Sequence, residues 1–100
     1  MVRHIILWKL KDEYTDAQKA EIMADAKQAL EALVGVVPGL TALTLHVEGL
    51  ASSNADMMLE STLESEDALK GYQVHPAHVA AANTFVRPFT ATRLCLDFQC

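Results

Sequence analysis

The residue pattern predicts an α+β domain, a four-stranded antiparallel sheet with its helices on one face. Three observations carry this. Four short segments alternate in the manner of strands; two helical stretches separate the first from the second and the third from the fourth; and proline, glycine or a polar loop punctuates each junction. One hundred residues are enough for a single domain with one core. Hydrophobic residues make up 51% and charged residues 21%, a globular composition.

Val2–Leu10 reads as the first strand. His4, Ile6, Trp8 and Leu10 point one way and Arg3, Ile5, Leu7 and Lys9 the other, so each face carries apolar side chains. Thr15-Asp16-Ala17-Gln18 then has the form of a capping box. Ile22, Ala26, Ala29, Leu30 and Leu33 recur at helical spacing behind it and predict an amphipathic helix of roughly 18 residues. Gly35 and Pro38-Gly39 end that helix and force a turn. Leu40–Glu48 alternates as a second strand, Leu43, Leu45 and Val47 against Ala42, Thr44 and His46. After the loop Gly49 to Asn54, Asp56–Leu63 forms a third, with Met57, Leu59, Ser61 and Leu63 on one face.

Ser65-Glu66-Asp67 opens the second helical stretch, a serine cap with acids that suit the helix dipole. His75-Pro76 breaks and restarts it, because proline fits the first helical position. Arg87-Pro88 ends it, and Thr90–Phe98 is the last strand, Thr92, Leu94, Leu96 and Phe98 opposing Arg93, Cys95 and Asp97. The order is β-α-β-β-α-β, the ferredoxin-like arrangement, whose right-handed crossovers lay the helices on one sheet face. Ile6 and Trp8 are expected among the residues that also populate the far face. A bare apolar face is poorly tolerated in a soluble monomer, and pairing with a second copy by two-fold symmetry covers it. The alternative is a curled monomer whose far face is merely mixed.

Several function classes are excluded on composition. The net charge of −5, with only eight scattered lysines and arginines, argues against a nucleic-acid surface. Ile5-Ile6-Leu7-Trp8 is too short for a membrane span or a secretion signal, so the default compartment is the cytoplasm. Cys95 and Cys100 lack metal-ribbon spacing; Cys95 reads as a strand residue and Cys100 as a tail residue.

Chemistry-bearing groups concentrate in Tyr72-Gln73-Val74-His75-Pro76-Ala77-His78. His75 falls at a helix N-cap and His78 in the following first turn, where the dipole disfavours imidazolium and keeps the ring a neutral base. Tyr72 can donate to a carbonyl oxygen as charge develops there. His4 can contribute from the sheet. Two other assignments of the same residues stay open: His75 and His78 as purely structural groups with Tyr72 as a core plug, or His4, His75 and His78 as a metal-ligand set, for which no carboxylate partner is fixed.

The opening Val2-Arg3-His4-Ile5-Ile6-Leu7-Trp8-Lys9-Leu10-Lys11, the turn Val37-Pro38-Gly39-Leu40, the run Glu64–Leu69 leading into Tyr72-Gln73-Val74-His75-Pro76-Ala77-His78, and the closing Asp97-Phe98 resemble the stress-responsive A/B barrel (Dabb) family over essentially the whole chain. The resemblance implies a single domain spanning residues 1–100 and a homodimer whose sheets join as a dimeric α/β barrel. One plant branch of that family is a cofactor-free polyketide cyclase performing an intramolecular aldol condensation. Carried over by match, Tyr72 and His78 are its polar catalytic pair and His4 a supporting residue. The histidine which that branch has on its third strand is replaced here by Met57, which makes the pocket more apolar. The implied ligand is a small hydrophobic or phenolic carbonyl compound held between sheet and helices. Binding is expected at His4, His75, Met57, Trp8 and Ile6, with no cofactor. Related barrels include cofactor-free monooxygenases and haem-degrading enzymes, and no residue here singles out either.

Overall fold

The computed structural model describes residues 1–100. Strands β1 (Val2–Leu10), β2 (Leu40–His46), β3 (Met57–Leu63) and β4 (Thr90–Gln99) form one sheet in the order β2-β3-β1-β4, with every neighbouring pair antiparallel. Helix α1 (Asp16–Glu31) links β1 to β2. Helices α2 (Glu66–Val74) and α3 (Pro76–Phe85), followed by one turn of 3-10 helix at Arg87–Phe89, link β3 to β4. This is the ferredoxin-like topology.

Local chemistry fixes the helix boundaries. The Thr15 hydroxyl accepts from the Gln18 amide at 3.2 Å and the Gln18 side chain accepts from the Thr15 amide at 2.9 Å, so the capping box is complete. Ser65 caps α2 through Ala68 N–H, and the His75 ring caps α3 by accepting from Ala77 N–H at 3.1 Å, with Pro76 as the first helical residue. Gly39 adopts φ +80°, and a Cβ there would lie 2.6 Å from the Ala68 Cβ; only glycine lets the loop before β2 approach α2.

The core lies between the sheet and the helices. Leu10, Leu30, Leu45, Leu59, Leu63 and Tyr72 are fully buried in it, and Val2, Ile6, Trp8, Leu43 and Met57 join them. Ile6 and Trp8 therefore face the helices, not the far side as the alternation predicted. Both faces of β1 carry apolar residues, so parity alone could not say which one the helices cover. The far-face patch is instead Ile5 and Leu7 on β1 with Leu94, Leu96 and Phe98 on β4, held side by side by the pairs Ile5–Leu96, Leu7–Leu94 and Arg3–Phe98. Leu94 and Leu96 are 64% and 66% exposed. A bulge in β2 between Leu40 and Ala42 turns Leu40 into the core, although strict alternation would put it outside.

The outer edge of β2 is bonded by α1. Glu31 Oε2 accepts from Leu45 N–H at 2.9 Å and from Lys27 Nζ at 2.7 Å, while Lys27 Nζ also donates to the Leu45 carbonyl at 2.9 Å. Burial raises the Glu31 pKa, but the Lys27 ammonium and the Leu45 amide outweigh it and the carboxyl ends below its ordinary 4.5. A carboxyl with a depressed folded pKa stabilises the fold above its unfolded value, and the effect fades as pH falls through the folded one. Glu31→Gln is thus expected to lower the melting temperature at pH 7 by about 4–8 °C, for a loss of about 1 kcal/mol. The gap to wild type should close in scans below pH 4.5.

Candidate functional site

A cavity of about 250 Å³ opens where the β1–β4 half of the sheet meets the junction of α2 and α3. His4, Ile6 and Trp8 form its floor, Tyr72, Gln73 and His78 one wall, and Ala82, Val86, Arg87, Thr90 and Arg93 the rest. The break at His75-Pro76 is what brings Tyr72, near the end of α2, beside His78 in the first turn of α3. Their ring centroids are 4.2 Å apart, and the His4 ring meets Tyr72 edge-on at 5.9 Å.

Each polar group has a defined state. His78 Nδ1–H donates to the Gln73 carbonyl at 3.3 Å, which fixes the tautomer and leaves Nε2 with its lone pair free. Burial holds the His78 pKa below its ordinary 6.5, with the Arg87 and Arg93 guanidiniums and His4 adding to the depression against the Gln73 bond. The ring is neutral at pH 7. Burial also pushes the Tyr72 phenol up to about 12, so it remains a hydroxyl donor across the physiological range. On the floor, His4 is buried and its Nδ1–H donates to the Asp97 carboxylate, while the Ser61 hydroxyl donates to the His4 carbonyl at 3.2 Å.

The structure brings Tyr72, His78, His4, Ile6 and Trp8 to one cavity. It does not bring His75 or Met57 there. His75 is spent on capping α3, which also separates it from the His4-His75-His78 ligand set considered above. Met57 is buried in the core and borders a different cleft, one lined also by Asn54, Ala55 and Asp56. Sequence reasoning missed Asp97, Arg87 and Arg93 as site residues. Arg93 shares the β4 face with Cys95 and Asp97, and that alternation was visible; its register against β1 was not.

The family model for the Stress responsive A/B Barrel Domain (Dabb) matches residues 2–100. The chain belongs to this family. Among Dabb relatives, olivetolic acid cyclase from Cannabis sativa is 29% identical, with 97% of this chain and 94% of that protein covered. A dimeric protein of ferredoxin-like fold from Bacteroides fragilis superimposes with a TM-score of 0.92 at 28% identity, covering 99% of this chain and 95% of that one. The hydroxynitrile lyase from Passiflora edulis superimposes with a TM-score of 0.72 at 20% identity, covering 97% of this chain and 90% of that one, a likeness of fold.

Proposed function

We propose that this Dabb protein is a homodimer that binds a small phenolic or hydrophobic carbonyl compound in the α2–α3 cavity and promotes enolisation and aldol-type ring closure without a cofactor. The observation that carries the reading is the pairing, at 4.2 Å between ring centroids, of a neutral His78 with a free Nε2 and a Tyr72 that keeps its proton. His78 Nε2 removes a proton from the carbon next to a carbonyl, and the Tyr72 hydroxyl donates to the oxygen on which enolate charge gathers. The enolate carbon then attacks a second carbonyl of the same molecule. The C–C bond forms, and the new alkoxide takes back the proton that His78 holds. Arg87 and Arg93 favour a substrate with an anionic end, and Ile6, Trp8 and Val86 an apolar one. Olivetolic acid cyclase, whose name denotes a cyclisation, supports the reaction class.

The reading has a built-in reporter, because Trp8 is the single tryptophan of the chain and lines the cavity. Titration with a hydroxylated acetophenone or hydroxybenzoate is expected to change Trp8 fluorescence saturably. Tyr72→Phe, which keeps the ring and removes the donor, should weaken that binding about tenfold, the equivalent of about 1.4 kcal/mol. A flat titration with such compounds, or equal affinity in Tyr72→Phe, would refute the ligand assignment.

The dimer is supported by the far-face patch and by the dimeric neighbours, including one from Thermobifida fusca at 29% identity and a TM-score of 0.77. In this proposal the pairing surface is the far face of the sheet, opposite the cavity.

A further inference from the structure

We infer that His4, Cys95 and Asp97 form a binding site for a zinc-class divalent transition-metal ion, distinct from the Tyr72–His78 pair and independent of the reaction proposed for it. The β1–β4 register sets His4 opposite Asp97 and Ile6 opposite Cys95, so all three side chains stand on the same face of two hydrogen-bonded strands. Cys95 Sγ lies 3.8 Å from His4 Nδ1 and 3.5 Å from Asp97 Oδ1, and His4 and Asp97 are themselves in contact. Bonds of about 2.0–2.3 Å from zinc to N, O and S place tetrahedral neighbours about 3.3–3.6 Å from one another. Two of the three separations are already within a few tenths of an ångström of that figure. The third pair, His4 and Asp97, is in direct hydrogen-bond contact, and its two atoms must part by rotation of the exposed Asp97 side chain as the ion takes the place of the proton between them.

The chemistry and access fit as well. One thiol, one imidazole and one carboxylate are the borderline-soft donor set that suits zinc, not calcium or magnesium. Three protein ligands leave a fourth position for water. No helix covers β4, and Cys95 and Asp97 are exposed, so an ion has a path in. The Ser61–His4 bond and the sheet hold the backbone of the buried ligand in place. On binding, the Cys95 thiol proton leaves to solvent, the His4 proton passes from Nδ1 to Nε2 by exchange with solvent, and Cys95 Sγ, His4 Nδ1 and an Asp97 carboxylate oxygen bond the ion. The ion would thereby reverse the His4 tautomer at the floor of the neighbouring cavity.

The test uses untagged full-length protein. Equilibrium dialysis against zinc alone should show one ion per chain, and cobalt(II) should produce the near-ultraviolet charge-transfer absorption of a thiolate ligand. Cys95→Ser keeps a hydrogen-bonding group beside Asp97 but replaces the soft donor. It should weaken zinc binding at least tenfold and abolish the cobalt band, and Asp97→Asn should also weaken binding at least tenfold. Cys100→Ser and His78→Ala should leave both signals unchanged. The inference fails if no thiolate band appears, if Cys95→Ser binds zinc as the wild type does, or if the band is lost in Cys100→Ser. Loss of binding in His78→Ala would shift the site to the catalytic pair and equally overturn it.

Discussion

Replacing His78 by alanine is expected to lower kcat/KM for an enolisable carbonyl substrate by about 10²–10⁴-fold, the span typical of a positioned general base. The fold should survive, because the ring is only half-buried and its one protein hydrogen bond goes to the Gln73 carbonyl. Unchanged circular dichroism and particle size would therefore separate lost chemistry from lost structure. The pH profile is an independent check. Protonation of Nε2 removes the base, so activity should fall on the acid side with a midpoint below 6.5. Tyr72, with a pKa pushed up to about 12, should contribute no alkaline limb below that range. A midpoint above 6.5, or turnover that persists in His78→Ala, would contradict the assignment of His78 as base.

Leu96→Glu is expected to turn the proposed dimer into a particle of 10.9 kDa in light scattering at micromolar concentration, where the wild type should scatter as twice that mass. Leu96 sits amid Leu94, Phe98 and Ile5 on the uncovered face of the sheet. A carboxylate trapped there without a partner costs about 3–5 kcal/mol. Two-fold symmetry brings in two of them, enough to raise Kd at least about a thousandfold. Lys19→Glu, a charge change on α1 away from the patch, should leave the mass of the dimer intact. A wild type that scatters as a monomer would remove the homodimer from the proposal.

Much of this architecture was legible in the sequence because the relevant interactions are local. The Thr15–Gln18 box, the Ser65 cap and the His75-Pro76 restart all join residues within a few positions of each other, and each appears where the pattern put it. The juxtaposition of Tyr72 and His78 follows from the same helix break. What escaped was register. His4 and Asp97 are 93 positions apart, and nothing in either neighbourhood announces the bond between them. The β2 bulge at Leu40 and the choice of which β1 face the helices cover are likewise tertiary decisions, so alternation alone does not assign Ile6 and Trp8 to the core they help to fill. His75 illustrates a different limit. Its position beside Pro76 marked it as a cap and as a site residue alike, and only the bond to Ala77 N–H shows which use the ring is put to.

The Lys27–Glu31 pair has a consequence for how copies of this protein can meet. Strands recruit one another through unpaired amides and carbonyls, and fibrils grow by repeating that step. At Leu45 both groups are already occupied by the protein's own helix. An incoming chain would have to evict a lysine and a carboxylate before it could dock on that border. Polymerisation across that border is discouraged at its first addition, because the strand edge at Leu45 offers no vacant amide or carbonyl to a newcomer.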